Sequence, residues 1–149
     1  MTTIRIDAHT HHDKASWAAL FLGYQSFYEV PNNPDVIERV WEWIHYLDHQ
    51  TECLLARKEN GRPIGLAHFR NLARPLSGTQ AGFIDDLFVE LDSRGSGAAD
   101  ALVNTIAEIG RERGWSWLHW FTAEDNYRGR GFYDRVAHAN PWKTYQVNI

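Results

Sequence analysis

The residues with the clearest chemical potential form a glycine-containing loop between two apolar segments. The loop reads Arg94-Gly95-Ser96-Gly97. An apolar run typical of a buried strand ends at Val89, and a helical pattern begins at Ala98. The first amides of a helix have no internal partner, and the helix dipole adds partial positive charge there. The order strand, loop and helix therefore predicts a site for an anion such as phosphate.

The same loop has a simpler interpretation as a turn that needs glycine for its backbone dihedrals. Two better-known phosphate motifs are excluded. The chain contains no Gly-Lys-Ser or Gly-Lys-Thr, which a P-loop requires, and the loop lacks the third glycine and the acidic residue of a dinucleotide fingerprint. Arg94 favours the anion site because it adds a permanent positive charge to the loop.

Two blocks of sequence resemble the GCN5-related N-acetyltransferase (GNAT) family. Arg94-x-x-Gly97-x-Ala99 is similar to the Arg/Gln-x-x-Gly-x-Gly/Ala signature that binds the pyrophosphate of acetyl-CoA in that family. The second block has Asn126 near the start of a helix and a Phe132-Tyr133 pair about two turns later. The blocks occur in the family's order, and the resemblance extends from about Thr51 to the C-terminus.

The resemblance implies a fold, a cofactor and the residues that bind it. The expected fold is α/β, with a mixed central sheet of six to seven strands flanked by about four helices in a single domain over residues 1–149. The expected co-substrate is acetyl-CoA, which would contact a strand segment, the glycine loop and a later helix. These predicted residues are Leu87, Phe88, Val89, Arg94, Gly95, Ser96, Gly97, Ala98, Ala99, Asn126 and Tyr133.

Acetyl transfer from a thioester to an amine needs a neutral amine, a stabilised carbonyl oxygen and a proton for the leaving thiolate. Tyr133 is the candidate acid, because a phenol with a pKa of about 10 stays protonated until the thiolate forms. A core tyrosine with a satisfied hydroxyl is the structural alternative. Asp86 is the candidate base, although a solvated edge position would explain it equally well. Alternation along a strand predicts that Asp85 and Asp86 point to opposite faces, so that at most one faces the acceptor.

The acceptor is expected near the first two helices. The first helix has an apolar stripe at steps of three and four: Trp17, Leu20, Phe21, Tyr24, Phe27 and Tyr28. The segment Gly23–Tyr28 is similar to the same region of the yeast Hpa-type acetyltransferases and their bacterial relatives, which act on histone tails, polyamines or amino acids. We expect Tyr24, Tyr28 and Glu29 to contact a small amine. Acidic residues nearby would suit a cationic acceptor, although a solvated helix face also explains them.

The composition disfavours several other classes. A hydrophobic fraction of 44% in 149 residues indicates a folded chain, and a net charge of -4 disfavours nucleic acid as a partner. The single cysteine, Cys53, excludes an internal disulfide and suits a reducing compartment. No signal-peptide pattern or apolar run of about 18 residues is present, so we expect a cytoplasmic protein without a membrane partner.

An Asp-x-His-x-His motif at Asp7–His11 is the one pattern that suggests a metal. Metal-dependent amidohydrolases begin in this way, but they need further ligands on a barrel of about 250 residues. The other histidines fall in no ligand spacing. We therefore expect a solvated loop and no metal. The main competing function is a non-catalytic acyl-CoA-binding or partner-binding domain on the same fold.

The elements that position these residues are predicted in the order β-α-α-β-β-β-α-β-α-β. Helix and turn signals occur at Asp13, Asn33-Pro34, Asn60-Gly61 and Gly114. The last two strands are expected at Trp115–Phe121 and Trp142–Ile149, and the resemblance implies a homodimer joined through the C-terminal strand. Gly129 replaces the family's usual Ala and Gly131 follows. Since each glycine destabilises a helix by about 1 kcal/mol, we expect the Tyr133 helix to be irregular without cofactor.

Overall fold

The computed structural model describes residues 3–149, and its centre is a mixed sheet of five strands. The strands are β1 (Arg5–Ala8), β2 (Glu52–Arg57), β3 (Pro63–Arg74), β4 (Thr79–Val89) and β5 (Leu118–Trp120). They follow one another across the sheet in chain order; β1 to β4 are antiparallel, and β5 runs parallel to β4. The helices are α1 (Lys14–Phe27), α2 (Pro34–His45), α3 (Ala98–Arg113) and α4 (Tyr127–Val136).

The sheet is covered on both faces, which produces two apolar clusters. Helix α3 packs on one face, where Leu102 and Ile106 contact Phe69 and its neighbours. Helices α1 and α2 cover the other face around Trp17 and Trp41. Burial on both sides explains why β2 reads as a continuous apolar run and not as an alternating pattern.

Most of the predicted helix caps and turns are present in the structure. The side chain of Asn33 accepts a hydrogen bond from the Asp35 amide at the start of α2, and Gly114 ends α3 with a left-handed φ of 74°. The expectation that Asp13 caps α1 is wrong. Its carboxylate instead accepts hydrogen bonds of 2.7 and 2.8 Å from the buried guanidinium of Arg57.

The predicted number of strands is also wrong, since residues 3–149 form five and not six or seven. The segment Trp142–Ile149 contains no strand, and its apolar side chains are exposed. A strand needs a hydrogen-bonded neighbour, and this segment has none among the described residues. The expected strand at Trp115–Phe121 is shortened to Leu118–Trp120.

The short β5 opens the sheet beside the glycine loop. Its three residues pair with Gly82–Ile84 of β4. The rest of β4, from Asp85 to Val89, has no strand partner on that side among residues 3–149. Backbone groups of this half-strand are therefore available to a ligand, which is the role that its predicted residues require.

Candidate active site

A cleft of about 590 Å³ lies between the free half of β4, the glycine loop and α4. It brings together residues from four separate parts of the chain. All the predicted cofactor-binding residues line it: Leu87, Phe88, Val89, Arg94, Gly95, Ser96, Gly97, Ala98, Ala99, Asn126 and Tyr133. Tyr24 and Tyr28, which were predicted to contact the acceptor, also line it.

The glycine loop presents unprotected backbone to the cleft. Gly95 and Gly97 have φ values of 81° and 86°, a left-handed conformation that side chains rarely adopt, and a β-carbon at either position would meet open space. Gly97 is the N-cap of α3, and no side chain caps that helix start. The hydroxyl oxygen of Ser96 is buried without a hydrogen-bond partner. Free amides and an unsatisfied hydroxyl fit a phosphate group.

Arginine side chains add positive charge to this end of the cleft. Arg94 donates a 3.3 Å hydrogen bond from Nε to the carbonyl of Val89, and its guanidinium lies 5.6 Å from the ring centre of Phe27. Arg128 and Arg135 line the same cleft. The chain as a whole carries a net charge of -4, so this concentration of cations favours an anionic ligand.

Helix α4 carries Asn126 and Tyr133 into the cleft. Asn126 caps the helix by accepting a 3.2 Å hydrogen bond from the amide of Gly129. The helix is continuous from Tyr127 to Val136 in this structure, and its irregularity without cofactor stays a prediction. Burial, together with the nearby Tyr28, raises the pKa of Tyr133. Its phenol is therefore protonated at neutral pH, as a proton donor must be.

Asp85 and Asp86 lie on the same face of the sheet, so the prediction of opposite faces is wrong. The pairing of β3 with β4 shifts by one residue after His68, which leaves Asp85 as an extra residue in a β-bulge. Asp86 Oδ2 lies 2.8 Å from Nδ1 of His68, and Asp85 Oδ2 accepts a 3.0 Å hydrogen bond from Nε of Arg70. His68 and Arg70 are two residues apart on β3 and share one face.

Tyr24 lies close to Asp86 and next to Tyr28. Burial raises the pKa of Tyr24 above its ordinary value, and the nearby charge of Asp86 and the Tyr28 phenol raise it further. The Tyr24 and Tyr28 rings meet edge to face, with centres 5.1 Å apart.

Glu29 is exposed just beyond α1 with a φ of 57° and is absent from the cleft lining.

Sequence reasoning missed the partners of His68. Its ring is buried, and Nε2 accepts a 2.9 Å hydrogen bond from the indole nitrogen of Trp17. The only sequence signal was a histidine inside the apolar run of β3. Trp17 is 51 residues away and was predicted only as part of an apolar stripe, so no local pattern connects the two.

Residues 3–149 provide neither a cluster of metal ligands nor a membrane-spanning helix. No group of three or more His, Cys, Asp or Glu side chains there has an arrangement that could hold a metal ion. Within the Asp7–His11 motif, His9 lies beside a histidine of α2, with 3.4 Å between His9 Nε2 and His45 Nδ1. Among the same residues, no helix combines the length and the apolar character needed to cross a membrane.

The sequence profile of the Acetyltransferase (GNAT) family matches residues 17–138. The chain belongs to this family. It is therefore an acetyl-CoA-dependent N-acetyltransferase with the GNAT fold, as the two sequence blocks predicted. The glycine loop, the end of β4 at Leu87–Val89 and Tyr133 all line the one cleft described above.

Individual relatives show the range of acceptors known on this fold. The chain is 24% identical over 139 residues to the D-amino-acid N-acetyltransferase HPA3 of Saccharomyces cerevisiae, covering 91% of this chain and 85% of that protein. A ribosomal-protein-alanine N-acetyltransferase from Brucella melitensis biovar Abortus 2308 is 29% identical, with a TM-score of 0.85 over 99% of this chain and 100% of that one. The aminoglycoside N-acetyltransferase AAC(6')-Iy, solved in complex with CoA, shares the fold at 16% identity and a TM-score of 0.84, over 100% of this chain and 96% of that one.

Proposed function

We propose that this enzyme transfers the acetyl group of acetyl-CoA to the primary amine of a small molecule by direct attack in a ternary complex. The acceptor classes that we favour are amino acids, polyamines and related amines. The observation that carries the proposal is one continuous cleft, which begins at the uncapped start of α3 and ends at Tyr24, Tyr28 and Tyr133. One end has the chemistry to bind pyrophosphate, and the other has tyrosine hydroxyl groups. The carboxylate of Asp86 is not among the lining residues, but it lies close to Tyr24, which is.

At the anion end, the amides of Gly97, Ala98 and Ala99 and the hydroxyl of Ser96 would bind the pyrophosphate of acetyl-CoA. Arg94 would add charge to the same group. The free edge at Leu87–Val89 would hold the pantetheine arm and polarise the thioester carbonyl through backbone amides. Bound acetyl-CoA supplies the activated acetyl group; the protein's part is to orient it beside the amine.

Two side chains would carry out the proton transfers of the reaction. We assign Asp86 as the group that accepts a proton from the incoming ammonium, so that a neutral amine can attack. We assign Tyr133 as the group that donates a proton to the leaving sulfur, which its raised pKa supports. The C–S bond breaks as the C–N bond forms, and the second proton that the nitrogen loses restores Tyr133. The products are CoA, an N-acetyl amine and the proton that Asp86 later releases to solvent.

The surroundings of Asp86 favour a small, partly apolar amine. Tyr24 and Tyr28 offer ring faces and hydroxyls, and Asp86 offers the negative charge that attracts a cation before it loses its proton. The predicted contact at Glu29 would require an acceptor long enough to reach the exposed end of α1. The named relatives act on a D-amino acid, a ribosomal-protein alanine and an aminoglycoside, so the acceptor must be found by assay.

The test is a panel of amines assayed for thiol release from acetyl-CoA. It should include D- and L-amino acids, polyamines, aminoglycosides and a peptide with an N-terminal alanine. At least one small amine should give saturable release together with an N-acetyl product identified by mass spectrometry. If the protein binds acetyl-CoA and no amine releases thiol, the non-catalytic alternative is correct.

We further propose a homodimer in which the exposed C-terminal segment of each copy packs against the other copy. Tyr145, Val147 and Ile149 alternate along this segment and are exposed. β5, at the edge of the sheet, is also free on its outer side. Light scattering after size exclusion should give twice the chain mass, and Val147→Asp with Ile149→Asp should give a monomer. Leu76→Asp, which changes an equally exposed loop residue, is the matched control.

We also propose that the enzyme works in the cytoplasm. Cys53 is a free, buried thiol, and burial raises its pKa, so the protein needs no oxidising compartment. Cell fractionation followed by immunoblotting should recover the protein with cytoplasmic markers. Recovery with periplasmic or membrane fractions would contradict this assignment.

A further inference from the structure

A line of three hydrogen-bonded side chains runs from the core to Asp86, which lies close to Tyr24 of the cleft but is not itself among the lining residues. Trp17 is 0% exposed and His68 is 1% exposed, whereas the side chain of Asp86 is 24% exposed. The indole Nε1 of Trp17 lies 2.9 Å from Nε2 of His68, and Nδ1 of His68 lies 2.8 Å from Oδ2 of Asp86. Both ring nitrogens of His68 are therefore used, and only the last member of the line reaches solvent.

The chemistry of these partners decides the tautomer of His68. An indole nitrogen can only donate a hydrogen bond, so Nε2 of His68 must accept and carries no proton. The ring proton is then on Nδ1, which donates to the carboxylate of Asp86. Trp17 thus selects the tautomer that can bind Asp86, and Asp86 is bound through one defined oxygen.

Packing alone does not require this arrangement. His68 lies in an apolar cluster, where it meets the ring of Phe21 edge to face at 5.3 Å and is flanked along β3 by the buried Leu66. Replacing a buried polar pair by apolar side chains of similar volume is often neutral or stabilising. We therefore explain these three hydrogen-bonded side chains by their effect on the position of the Asp86 carboxylate, and not by a contribution to the stability of the core.

We propose that His68, fixed by Trp17, is a positioning residue that holds the Asp86 carboxylate toward the acceptor amine. The β-bulge at Asp85 supports this, since it brings Asp86 directly opposite His68 in the sheet. One carboxylate oxygen is taken by His68, which leaves the other for the amine and for Tyr24. This inference rests on the proposed function, because it assumes that Asp86 receives the proton of the acceptor.

A matched pair of substitutions separates positioning from packing. In His68→Asn, the amide nitrogen takes the place of Nδ1 and can still donate to Asp86. In His68→Gln, the amide takes the place of Nε2, so the contact with Trp17 is kept and the one with Asp86 is lost. We expect His68→Gln to lose at least about tenfold in kcat, as for loss of a hydrogen bond to a charged group, with the KM for acetyl-CoA unchanged. His68→Asn should recover most of that loss.

Trp17→Phe tests the same line from its buried end and remains informative if a His68 variant fails to fold. It keeps a ring in the core and removes the donor to Nε2, so kcat should fall while acetyl-CoA affinity is preserved. Equal kcat losses in His68→Asn and His68→Gln that follow their melting temperatures, or full activity in His68→Gln or Trp17→Phe, would overturn the proposal.

Nitrogen-15 NMR of the wild-type imidazole gives a readout that does not depend on activity. We expect the Nδ1–H tautomer for His68, with a slowly exchanging proton, and loss of that signature in Trp17→Phe. An Nε2–H tautomer in the wild type would refute the proposal even in an active enzyme. Absence of acetyl transfer to any amine, with the Nδ1–H tautomer present, would instead refute the proposed function and the role of Asp86 within it.

Discussion

The carboxamide of Asn126 occupies the space that a β-carbon would need at Gly129. A carbon added there would lie 2.5 Å from Nδ2 of Asn126. The same carboxamide accepts a hydrogen bond from the Gly129 amide and donates one to Thr122. Gly129, where the family usually has Ala, is thus matched to the cap of α4, and the cap offsets part of the helix stability that glycine loses.

Substituting the two glycines of α4 separately tests this relationship. A β-carbon at Gly131 would meet nothing within 4 Å, so Gly131→Ala should stabilise the protein by up to about 1 kcal/mol. Gly129→Ala should give no such gain, because it displaces the Asn126 cap, which is itself worth about 1 kcal/mol. Chemical denaturation without ligand measures both, and equal stabilisation by the two changes would contradict the role of Asn126.

Gly97→Val should abolish the rise in melting temperature that acetyl-CoA produces in the wild type. The ligand stabilises the native state by mass action, and a branched side chain at the start of α3 would block the loop amides. Gly61→Val is the matched control, since Gly61 has a φ of 87° and open space but lies in the β2–β3 turn. Both variants should melt lower on their own. A normal acetyl-CoA response in Gly97→Val would place the cofactor elsewhere.

Tyr133→Phe should lower kcat by at least about 10²-fold, the lower end of the range for general acid catalysis. Acetyl-CoA affinity should stay within a few-fold, because the ring and its edge-to-face contact with Trp120 at 5.5 Å remain. Tyr127→Phe, an exposed position at the start of the same helix, should leave turnover unchanged. Near-normal turnover with a lower melting temperature would make Tyr133 structural and remove it from the catalytic residues.

Asp13→Asn should destabilise the protein at neutral pH by about 2–4 kcal/mol, because it leaves the buried Arg57 with one carboxylate partner instead of two. Hydrogen bonding from Arg57 lowers the pKa of Asp13 well below its unfolded value. Its contribution is therefore complete above that unfolded pKa and is lost as pH falls toward the folded one.

Unfolding free energies of the wild type and Asp13→Asn, measured from pH 7 down to about pH 2, should consequently differ by a constant amount above about pH 4 and approach each other below it. Glu108→Gln is the control, since its exposed ion pair with Arg111 should contribute less than about 1 kcal/mol at any pH. A constant difference between wild type and Asp13→Asn across the range would contradict the ionic origin of the effect.

Metal removal should leave turnover unchanged. Within residues 3–149 no cluster of three or more suitable ligands exists, and the proposed proton transfers use Asp86 and Tyr133 alone. The measurement is the rate of acetyl transfer before and after dialysis against a chelator, and again with added zinc. A rate that falls with the chelator and returns with zinc would require a metal in the reaction.

The glycine loop and the helix start that follows it could be predicted from the sequence because they are local. A glycine loop followed directly by a helix start is encoded within about ten residues, and its left-handed glycines need no distant partner to be recognised. The same holds for the Asn126 cap, the Asn33-Pro34 helix start and the Asn60-Gly61 turn. Short-range geometry and a resemblance carried by contiguous motifs were enough to predict the GNAT fold and the residues that line the cleft.

Other features were decided only by the tertiary structure, because each depends on a partner far away in the chain. Strand alternation placed Asp85 and Asp86 on opposite faces, but pairing with β3 introduced a bulge that turned both to one face. The alternating apolar pattern at Trp142–Ile149 satisfied the local rule for a strand, and yet this segment pairs with no strand in the described part of the chain. The line from Trp17 through His68 to Asp86 joins three elements across 51 and 18 residues. A hydrogen bond across such a separation forms only when the whole core packs, so no local pattern could have shown it.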